Sequence, residues 1–170
     1  ESPKLLGKIG AINALSDIYA MGGEPILALN IVCFNPDFDN DVLEEIIKGG
    51  QQICNEAGAI ICGGHTVNGP EIRYGLSVIG KVKNNQILKN YGCQNGDKLF
   101  LTKQLGTGIM GQAAKYNMFD EGVLLNFQNH LLESNKNASR IIRQVGVTAA
   151  TDVSGFGLGV HLYRMLKYFL

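Results

Sequence analysis

The chain has 170 residues, fifteen basic side chains against fifteen acidic ones, 45% hydrophobic and 18% charged residues. That is the balance of a globular chain with one ample core or two small domains, and it excludes a disordered one. A formal charge of zero gives no electrostatic case for nucleic acid or an anionic membrane as partner, and no apolar run approaches the ~20 residues of a membrane helix.

In chain order, residues 3–21 carry apolar positions at helical spacing, with Pro3 at the start and Gly22-Gly23 as a stop, which predicts a helix. Residues 26–34 are almost continuously apolar and β-branched, the pattern of a buried strand, and Asn35-Pro36-Asp37 turns the chain. A helix over 41–57 follows, capped by Asp39 or Asn40, weakened by Gly49-Gly50 and ended by Gly58. Residues 59–62 read as a short buried strand leading into a loop that holds Gly63-Gly64-His65-Thr66 and runs through Pro70. Residues 72–82 alternate, with Tyr74, Leu76 and Val78 on one face, and predict a half-covered sheet.

The turn-rich stretch 91–97 marks a domain boundary, giving units 1–96 and 97–170. The second unit is expected to open with a strand over 98–102, followed by helices over 109–118, 120–132 and 134–145. The run 149–152 then sets Asp152 at a strand end before a glycine turn and a last helix from about Leu158. Strands alternating with helices make the class α/β or α+β. Four widely spaced cysteines, Cys33, Cys54, Cys62 and Cys93, form no C-x-x-C pair and predict reduced, mostly buried thiols in a cytoplasmic protein. A start without Met and a stop inside a helical pattern predict an internal fragment.

Asp17 and Asp152 are the first candidates for chemistry. With Asn13 one helical turn before Asp17, they offer the hard oxygen ligands that Mg2+ takes beside phosphate. A surface charge near a helix end and a turn cap are the plain alternatives. Gly63, Gly64, His65 and Thr66 form either a phosphate-contacting turn or a simple tight turn, without the P-loop pattern. Lys103 beside Gly106-Thr107-Gly108 is either an anion-binding cation or a solvated lysine, and His130 and His161 read as packing histidines. No Ser/His/Asp or Cys/His arrangement stands out.

Four strings, N-A-L-S-D-I-Y-A-M-G-G-E-P at 13–25, G-G-H-T at 63–66, L-T-K-Q-L-G-T-G at 101–108 and T-D-V-S-G-F-G-L at 151–158, together resemble the selenide, water dikinase (selenophosphate synthetase) family. The resemblance covers essentially the whole chain. The first string is similar across a wider superfamily that includes aminoimidazole ribonucleotide synthetase, thiamine-phosphate kinase and a hydrogenase-maturation protein. The third and fourth look like the selenophosphate branch.

The resemblance implies a two-domain α+β fold with mixed sheets packed with helices, a homodimer through first-domain strands, and ATP with Mg2+ held between the domains. It implies that selenophosphate is made from ATP, selenide and water, with release of AMP and phosphate. By motif, Asp17 and Asp152 would hold Mg2+ with support from Asn13. Gly63, Gly64 and His65 would contact the nucleotide bound by the partner subunit, and Asp17, Thr66 and Lys103 complete the expected ATP-binding set. No catalytic residue is expected within these residues, because the family's glycine-rich segment with its Cys or selenocysteine and Lys is not among them. The fragment alone is therefore expected to be inactive and to leave apolar surface uncovered. Gln104 stands where the family has proline, and Gly159-Val160-His161 departs from its L-G-H run. Another ATP-using member of the superfamily, or a non-catalytic nucleotide-binding paralogue, is the alternative.

Overall fold

The computed structural model describes residues 2–166. Helix α1 (Pro3–Ala20) starts on proline, whose missing N–H is harmless in a first turn, and stops where Gly22 takes φ 74°. Strand β1 (Glu24–Phe34) leads to α2 (Asn40–Ala57). The Asp39 carboxylate caps α2 by accepting from the Asp41 N–H at 3.2 Å, and Gly58 at φ 85° ends it.

Strands β2 (Ile60–Asn68) and β3 (Arg73–Lys81) flank β1 in the order β2-β1-β3, β2 parallel to β1 and β3 antiparallel. The sheet is therefore mixed, and α1 and α2 cover one face of it. Ala28, Val32 and Phe34 of β1 are buried on that face, against Leu15, Ile46 and Cys54 of the helices. Tyr74, Leu76 and Val78 of β3 share it, as the alternation predicts, and the Tyr74 hydroxyl donates to Asn30 Oδ1 at 2.8 Å.

The other face lies open. Ile31 is 54% exposed, Ile60 69% and Ile79 56%. The expectation of a strand buried on both sides is corrected here: the run 26–34 is apolar on both faces, but helices cover only one.

Gly7 and Gly49 set the distance between α1 and α2, and Gly50 makes room for Tyr74 of β3. A Cβ on Gly7 would collide with the carbonyl oxygen of Ile46, one on Gly49 with that of Lys4, and one on Gly50 with the Tyr74 hydroxyl. The residues that weaken α2 as an isolated helix are what let the two backbones touch.

Beyond the sheet, helices α3 (Thr107–Lys115), α4 (Glu121–Leu131), α5 (Lys136–Val145) and α6 (Gly157–Leu166) follow. Asp120 caps α4 by accepting from the Val123 N–H at 2.8 Å. Residues 98–102 are not a strand. A strand needs a neighbour for its backbone groups, every described strand belongs to the one sheet, and Leu99, Phe100 and Leu101 lie exposed. The four thiols are free, yet only Cys54 is fully buried and Cys62 is exposed, which corrects the expectation of mostly buried thiols.

Helix α5 docks on α1, α2 and the start of β1 through polar contacts. Asn135 Nδ2 donates to Ser16 Oγ at 2.8 Å, the buried Ser139 hydroxyl donates to the Tyr19 carbonyl at 2.8 Å, and Lys136 Nζ donates to the Glu56 carbonyl at 2.7 Å. Arg143 Nη1 pairs with the Glu24 carboxylate at 3.1 Å. Positions 135, 139 and 143 recur every four residues, so one stripe of the helix makes the junction.

Candidate functional site

Asp17 stands on the exposed side of α1, one turn after Asn13, which is also exposed. The α5 contacts to Ser16 and Tyr19 bracket it. After α5 the chain turns at Gly146, φ 78°, and the Ala150 N–H donates to the Lys89 carbonyl at 2.9 Å. Two residues on is Asp152, half-buried and in irregular backbone rather than at a strand end. Its charge reaches Asp17: the Asp17 carboxyl is raised above its ordinary value, first by partial burial and then by Asp152.

The turn that follows is braced from α6. The Ser154 N–H donates to His161 Nε2 at 3.3 Å, and the Ser154 hydroxyl contacts the same nitrogen at 3.3 Å. Accepting from an amide requires a lone pair on Nε2. His161 is buried and works as a packing residue that fixes the turn beside Asp152.

Two carboxylates close enough to repel one another are an arrangement that a divalent cation would relieve. Among the described residues no group of three or more His, Cys, Asp or Glu could hold a metal. The donor set fits Mg2+ nonetheless, because that ion commonly takes one or two protein carboxylates and completes its octahedron with phosphate oxygens and water.

The other candidates lie elsewhere. Gly63, Gly64, His65 and Thr66 are not a loop: they continue β2, the edge strand, which is much longer than the four residues expected. A bulge explains the glycines. Ala28 pairs with Ile61 but Asn30 with Gly64, so β2 carries an extra residue where Gly63 adopts φ 152°. A Cβ on Gly64 would strike the backbone of Asn30. His65, paired with Ile31, shares the open face of the sheet, whereas Gly64 and Thr66 pair with Asn30 and Val32 of the covered one. Among the described residues no hydrogen bond or ion pair ties these four to Asp17 or Asp152.

Lys103 turns toward the end of α4, where Nζ donates to the Glu133 carbonyl at 2.8 Å. Burial lowers its pKa, and the Glu133 charge partly offsets this. His130 touches the Gln104 carbonyl at 3.2 Å and lies 3.5 Å from the Glu133 carboxylate. No motif marks the docking residues of α5. The four-residue recurrence of Asn135, Ser139 and Arg143 is the signal that points to them.

The fold defines a class. The chain belongs to the AIR synthase related proteins, whose N-terminal domain matches residues 1–82 and whose C-terminal domain matches residues 94–168. Within it, the chain is similar to selenide, water dikinases. It is 43% identical to that of Clostridioides difficile strain 630 over 98% of this chain and 48% of the relative. It is 47% identical to that of Caldanaerobacter subterraneus subsp. tengcongensis over 97% of this chain and 48% of the relative. The chain thus spans about half the length of the curated relatives it matches. Among solved structures, AaThiL complexed with AMPPCP and TMP aligns with a TM-score of 0.83 at 20% identity, over 98% of this chain and 54% of that one. The hydrogenase maturation protein HypE aligns at 0.78 and 16%, over 93% and 50%. These likenesses show the α+β fold.

Proposed function

We propose that the whole protein is a selenide, water dikinase, forming selenophosphate from ATP, selenide and water and releasing AMP and phosphate. The reading is supported by the Asp152 charge that reaches Asp17, the two supplied by elements far apart in sequence, in a chain whose curated relatives bear that name. Phosphoryl transfer asks a protein mainly to position groups and neutralise charge. Asp17 and Asp152, with the Asn13 amide, would hold Mg2+, which when bound offsets the charge of the ATP phosphates. His161 and Ser154 keep the Asp152 turn in place.

The division into units 1–96 and 97–170 is part of the same reading, supported by the two domain matches that leave residues 83–93 between them. So is a homodimer through the open sheet face, where Leu29, Ile31, Ile60 and Ile79 expose more apolar surface than a lone sheet usually leaves to water. There Gly63, Gly64, His65 and Thr66 would serve nucleotide held across the interface. Lys103 belongs to the proposed ATP site only if it leaves the Glu133 carbonyl. A cytoplasmic location fits a chain in which no described helix is long and apolar enough to cross a membrane.

Phosphorus NMR of the full-length protein with Mg2+, ATP and selenide under anaerobic conditions tests the reaction. A selenophosphate resonance with AMP and orthophosphate is expected. ADP formation dependent on thiamine phosphate and indifferent to selenide would contradict it. In the same preparation Leu29→Glu should shift the sedimenting species from dimer to monomer, and a wild type that sediments as a monomer would remove the dimer from the reading.

A further inference from the structure

On the other side of α1 from Asp17, about 200° round the helix, Tyr19 lines a cavity of about 460 Å³ where α5 meets α1 and β1. Four cations line it, Lys81, Lys136, Arg140 and Arg143, against a single carboxylate, Glu24. That carboxylate is already paired with Arg143. Lys136 rests on an uncharged carbonyl, and Arg140 reaches only the Gln144 amide, at 3.5 Å. Lys81 has no counter-ion among the described residues.

Two buried polar atoms of residues that line the cavity also lack partners. Arg143 Nε has no acceptor, and the Tyr19 hydroxyl lies beside Ser134 without hydrogen-bonding geometry to it. A buried guanidinium donor without an acceptor is costly, and native structures seldom leave one so. Excess positive charge and an unused donor around a cavity of this size together ask for a small, multiply charged acceptor.

We propose that this cavity is a binding site for a tetrahedral oxyanion of the orthophosphate type, separate from the Asp17–Asp152 pair. The anion takes charge-assisted hydrogen bonds from Lys136, Arg140 and Arg143 on α5 and from Lys81 at the end of β3. It therefore bridges the two sides of the junction. Because α5 also brackets Asp17 through Ser16 and Tyr19, the bound anion holds the two carboxylates in register. The site does not depend on the reaction proposed above.

Calorimetric titration of the full-length protein with orthophosphate, at ionic strength held constant with chloride, tests it. Saturable binding is expected, and Lys136→Ala with Arg140→Ala, both at exposed positions, should weaken it at least about ten-fold without unfolding the chain. Arg143→Lys keeps the charge and removes the buried donor, and should weaken it less. Asp152→Asn, which removes the repulsion the anion would otherwise hold in check, should not weaken it. Absence of saturable binding overturns the proposal, as does wild-type affinity in the Lys136/Arg140 variant. Loss of binding in Asp152→Asn would place the phosphate at the carboxylate pair and overturn it as well.

Discussion

In the full-length protein, Asp152→Asn and Asp17→Asn should each lower ATP- and selenide-dependent turnover at least about a hundred-fold, the scale on which loss of one preorganised charge-stabilising group is felt. The same changes should not unfold the chain. Asp17 is pushed up from its ordinary value of 3.8 by burial and by Asp152. A carboxyl whose folded pKa is raised contributes stability that is fully present below the unfolded value and is lost as pH rises through the folded one. At neutral pH and without metal, the charged Asp17 therefore works against the fold. Asp17→Asn should melt higher than wild type at pH 7, with the difference shrinking toward pH 4, and Mg2+ with ATP should close it from the other side by stabilising wild type only. Melting curves that coincide from pH 4 to pH 8 without metal would show that the two carboxylates do not repel.

Gly49→Ala should cost about 1–3 kcal/mol or more of stability in urea unfolding, although alanine is worth about 1 kcal/mol over glycine in an exposed helix. Two effects compete here, and geometry decides between them. The new methyl would meet the Lys4 carbonyl oxygen, and at Gly7 that of Ile46. Both obstacles are backbone, so no side-chain rotation relieves them and α1 must lift off α2. Gly7→Ala should behave alike. Gly50→Ala meets the Tyr74 hydroxyl instead and should break its bond to Asn30. Neutral or stabilised Gly7 and Gly49 variants would mean that the helices do not cross backbone to backbone.

The local signals in the sequence were sound where one segment decides its own structure. Pro3, the Asp39 cap, Gly58 and the alternation of Tyr74, Leu76 and Val78 all act within a turn or a strand, and the structure follows them. Reading failed where a distant partner decides. Gly63-Gly64 looks like a turn, but the bulge against Ala28 and Asn30 makes it strand. Residues 98–102 have the composition of a strand and no described neighbour to pair with.

The candidate site divides in the same way. Asp17 and Asp152 could be picked out as ligand types from their local settings, and resemblance joined them to one reaction, but their adjacency rests on how α5 docks. Asn135 illustrates why that was hidden. It stands at the N-cap of α5, yet its side chain makes no cap bond and donates to Ser16. The basic cavity was invisible for a related reason: its cations sit on α5 and β3, and each alone resembles a solvated surface charge.

Whether Asp17 and Asp152 serve one ion is open to a double-mutant cycle, with Mn2+ as the paramagnetic stand-in for Mg2+ and its binding to the ATP complex of the full-length protein read by electron paramagnetic resonance. Residues sharing one ion are strongly non-additive. Asp17→Asn and Asp152→Asn should each weaken Mn2+ binding, and the double variant should bind little worse than either single one. Losses that multiply, or single variants that bind Mn2+ like wild type, would contradict a shared site.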